Sequence, residues 1–285
     1  MKNVLIIGAS LVVLGIIFIV GGYLLAGRKL SGFNSKNNSH VEKTYECKGN
    51  IENIRVNERS DHLRVESGDV DKVLVTYYDR KDKELYDIKE DGTTLVVKRN
   101  EEKDFSLFQI DFTDKATVIT VPREYDGALE LHTSSGGMEL NDITATDLTA
   151  DNKSGSVKLN NVTADSVKVH NTSGSIKLEN VTSGSDISVE NTSGSITFTN
   201  VTADGDLKAK GSSGSIRLES LYAAGNINIT NTSGSIKGTI HGKESDYKIK
   251  AKTTSGGCNL TDSDSGSREL NVKTTSGGIK IDFEN

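Results

Sequence analysis

Few side chains in this sequence are spaced for catalysis or metal binding. The five histidines share no metal-ligand spacing, and His132 and His170 fall on positions that we expect to face solvent. Residues 262–266 (DSDSG) resemble the start of a calcium loop, but the third ligand before the glycine is missing and Lys273 stands where the closing glutamate would be. We find no cluster of carboxylates that could hydrolyse a polysaccharide. The sequence therefore predicts no catalytic, cofactor or metal site.

The two cysteines have structural explanations. Cys258 falls in a column otherwise filled mainly by aliphatic side chains, so we expect it in the core. Cys47 lies in a polar segment that is distant from Cys258 in the sequence, so we expect no disulfide bond between Cys47 and Cys258. Two cysteines are also too few for a disulfide framework or a four-thiolate zinc site.

One row of basic residues recurs at regular spacing. Its members face outward on one sheet and are Lys158, Lys177, Arg217, Lys237 and Lys280. Such a row could bind an anionic wall polymer or lipid headgroups. We favour the simpler interpretation that it keeps the surface soluble and discourages edge aggregation, because Glu179 and Glu219 are interspersed.

Composition narrows the class of protein. The 285 residues carry a net charge of −6, and only 5% of them are aromatic. An acidic balance with few aromatic residues argues against a nucleic-acid partner. Beyond the first thirty positions the chain is poor in apolar residues and rich in Gly, Ser, Thr and Asn, which favours a repetitive or elongated fold.

A repeat follows Leu129. Eight Ser-Gly pairs recur at intervals of 19 to 22 residues, which is the period of a solenoid. The structural repeat glycines are Gly136, Gly155, Gly174, Gly194, Gly214, Gly234, Gly256 and Gly277.

Apolar columns flank each glycine. They stand seven and five residues before it and two and four residues after it, and a step of two is the period of a strand. We therefore expect an all-β, parallel β-solenoid with two short strands per coil of about 20 residues. The Ser-Gly turn is the tight corner, and the opposite turn is the variable one and the more exposed to partners.

The rest of the chain is assigned by hydropathy and period. Positions 3–27 carry no charge, so residues 1–29 are expected to form an uncleaved transmembrane helix. Residues 30–48 are polar and are expected to form a flexible stalk. Residues 49–128 keep a weaker strand period and are either degenerate coils or a β-rich cap, before the solenoid of residues 129–285.

The segment ATVITVPREYDGALELHTSSGGMEL and the TSGSIKLENVT units that follow it resemble the bacterial putative-adhesin family. This family is a β-strand-repeat domain of unknown function that includes LiaG-like membrane proteins. The resemblance covers residues 50–285 and implies a β-solenoid at the bacterial envelope, with the domain outside the cell and a link to the envelope stress response. The residues that carry the resemblance form a repeat and not an active site, so the family assigns no catalytic residue to this sequence.

These features together predict a single-pass protein of the cell membrane. Its non-enzymatic β-solenoid would serve adhesion, binding or scaffolding at the cell surface, with an envelope polymer or a protein as partner. The alternative is a structural solenoid that polymerises end to end, because no obvious cap follows the last coil and an uncapped coil exposes strand edges.

Overall fold

The computed structural model describes residues 40–100 and 115–284. This part of the chain is all-β, with 20 strands and one 3-10 turn at Glu244–Asp246. None of its residues lies in a helix that is long and apolar enough to cross a membrane. The expected anchor and the first part of the expected stalk, residues 30–39, lie outside the described residues.

The repeat folds into stacked parallel coils. Its strands are β8 (Ala128–Thr133), β9 (Met138–Ser154), β10 (Val157–Ser173), β11 (Ile176–Ser183), β12 (Ile187–Ser193), β13 (Ile196–Ala203), β14 (Leu207–Ser213), β15 (Ile216–Ala223), β16 (Ile227–Ser233), β17 (Ile236–His241), β18 (Tyr247–Ser255), β19 (Arg268–Ser276) and β20 (Ile279–Glu284). Equivalent positions of successive coils pair directly, as Val157 does with Ile176. The expected all-β, solenoid-like architecture is therefore confirmed.

Each coil between Met138 and Ala223 has three inward-facing segments. The third begins seven residues after the glycine, and it buries Ile143 and Ala145 in the first such coil and Leu221 and Ala223 in the last. From β11 to β16 each coil has two strands, as predicted, but the first strand continues through a corner into half of the turn that was assigned as variable. Strands β9 and β10 each run through all three segments. Only the few residues after this third segment vary in number between coils.

A single left-handed residue makes the corner before the third segment. These residues have φ between 53° and 63° and are Asp142, Asn161, Asn180, Asn200 and Ser220. Asparagine and aspartate tolerate this conformation better than most residues. The corner side chains also join the coils, since Asn180 Nδ2 donates to Asn161 Oδ1 at 2.9 Å and Asn200 Nδ2 donates to Asn180 Oδ1 at 2.9 Å.

The last two coils do not stack in sequence order. Strand β19 pairs with β16 on one side and with β18 on the other, and β20 pairs with β17. The coil of Gly277 therefore lies between the coil of Gly234 and the coil of Gly256. After the coil of Gly234 the chain forms the outermost coil, that of Gly256, and the coil of Gly277 then fills the space between the two.

The opposite end of the stack has the same kind of inversion. Its strands are β1 (His40–Glu46), β2 (Asn53–Glu58), β3 (His62–Gly68), β4 (Leu74–Arg80), β5 (Tyr86–Asp91), β6 (Thr94–Arg99) and β7 (Ala116–Pro122). Strand β2 lies between β6 and β8, and β3 lies between β7 and β9, all in parallel. Strands β1, β4 and β5 add antiparallel pairs outside this stack. Residues 49–128 thus contain both irregular coils and antiparallel strands that cover them.

Two expectations for the early and late segments need correction. Residues 40–46 form β1, and Cys47 is buried, so this part of the expected stalk is folded onto β4. Burial raises the pKa of Cys47 to about 12. Cys258 is exposed rather than in the core, because its coil is the last in the stack and only Ile279 pairs beside it.

Candidate binding surface

The repeat glycines form a continuous column of tight turns. All eight have positive φ, between 97° and 146°. A Cβ on Gly155 would lie 2.1 Å from the Gly136 carbonyl oxygen, and one on Gly174 would lie 2.2 Å from that of Gly155. Glycine is therefore required both for the backbone conformation and for the distance between coils. The column holds the outward side chains of neighbouring coils in register.

A ladder of buried asparagines supports the same turns. Asn152, Asn171, Asn191 and Asn231 donate from Nδ2 to the carbonyls of Gly136, Gly155, Gly174 and Gly214, at 2.8 to 3.2 Å. The ladder is interrupted at Gly211, which lies in register between Asn191 and Asn231.

The basic row expected after the glycines is present on the outside of one sheet. Lys158 is in register with Lys177, and Arg217, Lys237 and Lys280 follow one another in register. Carboxylates neutralise part of this row, since Lys177 Nζ lies 2.6 Å from Glu179 Oε2. The inverted coil order brings Lys280 beside Lys237, which the order of the sequence does not indicate.

A half-open groove of about 720 Å³ crosses the same sheet near its first coils. Its polar lining includes His62, Arg64, Tyr78, Ser156 and Lys158. The Gly137 N–H donates to His62 Nδ1 at 2.9 Å, and the Tyr78 hydroxyl donates to Glu42 Oε2 at 2.6 Å. This last bond raises the pKa of Tyr78. The groove has the size of a small-ligand site and mixes hydrogen-bond donors and acceptors.

The outside of the sheet that precedes the glycines has a different charge pattern. In its first coils, His132 and His170 lie on either side of Asp151, with Nδ1–carboxylate distances of 3.7 Å and 3.0 Å. Both histidines are partly exposed, as the sequence indicates, but they lie in a network of polar contacts with the neighbouring carboxylates. Glu130 joins it through Arg55 and His132, which together lower the pKa of Glu130.

A buried polar cluster joins the early strands. The Glu58 carboxylate accepts from the Tyr86 hydroxyl at 2.8 Å and from Thr117 Oγ1 at 2.9 Å, and Arg99 contacts Glu58 and Asp61. Burial raises the pKa of Tyr86 and of Asp61. Because its hydrogen bonds link β2, β5, β6 and β7, we interpret the cluster as structural. Sequence reasoning missed it because its members are far apart along the chain.

The described residues contain no group of three or more His, Cys, Asp or Glu side chains that could hold a metal ion. The DSDSG segment instead serves the fold: Asp262 Oδ1 accepts from the Ala251 N–H at 2.9 Å, and Ser263 exchanges two backbone hydrogen bonds with Ile249.

Stacked parallel coils with an aliphatic interior and polar rows held in register define a β-solenoid repeat protein whose polar side chains lie on its outer surface. The chain belongs to the Toastrack DUF4097 family, whose model matches residues 51–282. The expected membership of a repeat family of unknown function is therefore confirmed. No curated protein matches the chain.

Three solved structures that align with the chain are described as a putative cell adhesion protein or as putative adhesins. A putative cell adhesion protein from Clostridium sporogenes is 13% identical with a TM-score of 0.29, and it covers 86% of this chain and 100% of its own. A putative adhesin from Bacteroides fragilis is 13% identical with a TM-score of 0.38, and the alignment covers 87% of this chain and 98% of the adhesin. A putative adhesin from Parabacteroides distasonis is 14% identical with a TM-score of 0.36, and the alignment covers 85% of this chain and 97% of the adhesin.

Proposed function

We propose that this chain is a non-enzymatic binding scaffold, anchored in the cell membrane by residues 1–29 and displaying its solenoid outside the cell. The observation that carries the proposal is that the inward and outward positions of each coil differ in chemistry. Aliphatic columns fill the interior, and the chemical variety lies on outward rows held in register by the glycine column. Such a body presents side chains at fixed spacing to a partner.

The outward display is what adhesion or scaffolding requires. A rigid, regular surface lets many weak contacts act together on an extended partner, such as an envelope polymer or another surface protein. The adhesin descriptions of the aligned structures are compatible with this role. The proposed link to the envelope stress response predicts that deleting the gene alters sensitivity to antibiotics that act on the cell wall.

The two cysteines allow a direct test of display. Cys258 is exposed and Cys47 is buried, so a membrane-impermeant maleimide should label one thiol of the folded chain. We expect labelling on intact cells that express the full chain, and its loss in Cys258→Ser. Lysed cells provide the positive control. Labelling that appears only after lysis would overturn the proposed display outside the cell.

The alternative, end-to-end polymerisation, was based on the expectation that an uncapped last coil exposes its strand edges. The outer edge of β20 is hydrogen-bonded to residues 257–259, and the outer edge of β18 is bonded to Asp262 and Ser263. Strand edges covered in this way are poor templates for another chain. Sedimentation of the full chain in detergent tests this alternative, and growth into long assemblies at high concentration would restore it.

A further inference from the structure

We propose that the last four coils bind a linear polyanion on the outside of the sheet that precedes the glycines. This inference rests on the proposed function and assigns its partner. The surface, which we call the lysine face, consists of the outward positions six and four residues before Gly214, Gly234, Gly277 and Gly256. Its basic residues are Lys208, Lys210, Lys250, Lys252 and Lys273, and all five are exposed.

The charge of this sheet changes abruptly along the stack. The lysine face has eight such positions, of which five are lysine and none is acidic. The same eight positions in the four preceding coils, between Glu130 and Glu190, hold three carboxylates and one lysine. Positive charge is therefore concentrated at one end of a protein whose net charge is −6.

Two of these lysines face each other across neighbouring strands. Lys252 lies directly in register with Lys273, and Lys250 lies in register with Asn271. Parallel neighbours are about 4.8 Å apart, and alternate residues along a strand are about 6.6 Å apart. Like charges directly opposite on neighbouring strands destabilise a sheet, and bound counter-charge relieves that repulsion.

The protein supplies only part of the counter-charge at this place, since Glu190 lies in register with Lys210 and Asp262 Oδ1 accepts from the Ala251 N–H, between Lys250 and Lys252. Lys208 pairs with Glu190 at 3.2 Å. Among the described residues, no carboxylate oxygen lies within 4.0 Å of Nζ in Lys210, Lys250, Lys252 or Lys273. The carboxylates of the preceding coils are already engaged, as Asp151 is with His132 and His170. The three carboxylates at the corresponding outward positions of the preceding coils are thus already paired within the chain, and we take an external polyanion as the occupant of the lysine face.

The remaining positions indicate what kind of polyanion fits. They are Asn228, Thr230 and Asn271, which are small and can donate or accept hydrogen bonds. No aromatic residue occupies any of the eight positions, so nucleic-acid bases have no stacking platform here. A chain of phosphodiester or phosphate groups that runs along the stack would meet lysines on successive coils.

The test measures binding of the full chain in detergent to fluorescent inorganic polyphosphate. We compare a quadruple variant of the lysine face (Lys210→Gln, Lys250→Gln, Lys252→Gln and Lys273→Gln) with a control on the other sheet (Lys158→Gln, Lys177→Gln, Lys237→Gln and Lys280→Gln). Both variants remove four exposed charges, and circular dichroism checks that both remain folded.

We expect the first variant to lose at least about 30-fold in affinity while the control changes by less than about 3-fold. For the unchanged chain, the logarithm of affinity should fall with that of salt concentration at a slope of about −3. Equal losses in the two variants, or no binding by the unchanged chain, would overturn the proposal. So would tighter binding to single-stranded DNA or to phosphatidylglycerol vesicles than to polyphosphate. Each of these results leaves the maleimide test of surface display unaffected, so the two proposals can fail separately.

Discussion

The side-chain amide of Asn259 forms two hydrogen bonds with the backbone of Ile281. Its Nδ2 donates to the Ile281 carbonyl at 2.8 Å, and its Oδ1 accepts from the Ile281 N–H at 2.9 Å. One amide side chain thus takes the place of a neighbouring strand at the edge of β20. Asn259 belongs to the last coil of the stack, and its side chain closes the edge of β20 in the coil beside it.

Replacing this amide should open the edge locally. In Asn259→Ala we expect the Ile281 amide to exchange with solvent faster, by the equivalent of about 1–2 kcal/mol for two lost hydrogen bonds. Hydrogen exchange followed by NMR measures the change. Asn228→Ala removes an exposed asparagine from the middle of the stack and is the matched control. If the two variants exchange alike at Ile281, Asn259 does not close the edge.

Alanine should be tolerated very differently at two glycines. Gly174 has φ of 113° and no room for a Cβ, whereas a Cβ on Gly184 would make only ordinary contacts, at 3.6 and 3.7 Å with Asp165. We expect Gly174→Ala to lower the free energy of unfolding by about 2–4 kcal/mol and Gly184→Ala to change it by less than about 0.5 kcal/mol. Urea denaturation measures both, and similar midpoints would contradict the role assigned to the glycine column.

Completing the asparagine ladder should stabilise the chain. In Gly211→Asn, the new Nδ2 would reach the Gly194 carbonyl as Asn191 reaches that of Gly174, at the expense of a small shift of Asn231 Oδ1. We expect a gain of about 1 kcal/mol from the added hydrogen bond and the loss of a flexible glycine. Asn191→Gly should lower stability by a similar amount. Thermal denaturation compares the two, and destabilisation by Gly211→Asn would show that the gap is required.

The attachment of β1 should depend on alkaline pH. The Tyr45 hydroxyl donates to Glu90 Oε1 at 2.8 Å, and this bond raises the pKa of Tyr45 to about 12. Because the folded state holds this proton more tightly than the unfolded chain, the contribution is present below about pH 10 and is lost as pH rises through about 12.

Glu90→Gln removes the charge that favours the protonated phenol, so the pKa of Tyr45 should fall toward 10. NMR titration of labelled tyrosine rings measures it, with the exposed Glu46→Gln as the control. An unchanged pKa in Glu90→Gln would mean that burial alone causes the shift.

Much of the coil could be predicted from local pattern. The glycine turns and the flanking inward columns follow from steps of two residues and from the conformational freedom of glycine, and both are properties of neighbouring residues. The third segment was also visible, since Val162 and Ala164 keep the strand step and Asn161 marks the corner before them. It was missed because alanine and serine make its apolar signal weak.

The charged surfaces could be predicted only in part. The alignment of Lys158 with Lys177 could be predicted because these coils, which are consecutive in sequence, are also neighbours in the stack. Lys252 and Lys273 lie on coils that are also neighbours in sequence, whereas the pairing of Lys237 with Lys280 depends on the inverted order of the last coils. The exposure of Cys258 has the same cause.

The sequence alone determined the length of a coil, the residues that face its interior and the positions where only glycine fits, because these depend on steric limits and on apolar period within a few residues. Tertiary structure decided which coil lies on which. Apolar burial is non-directional, and any coil in this family of near-identical faces could cover any other. The choice at the last coils is made by contacts between distant residues, such as Arg268, whose guanidinium lies 4.4 Å from the centre of the Tyr247 ring and donates to the Ala223 carbonyl at 2.7 Å.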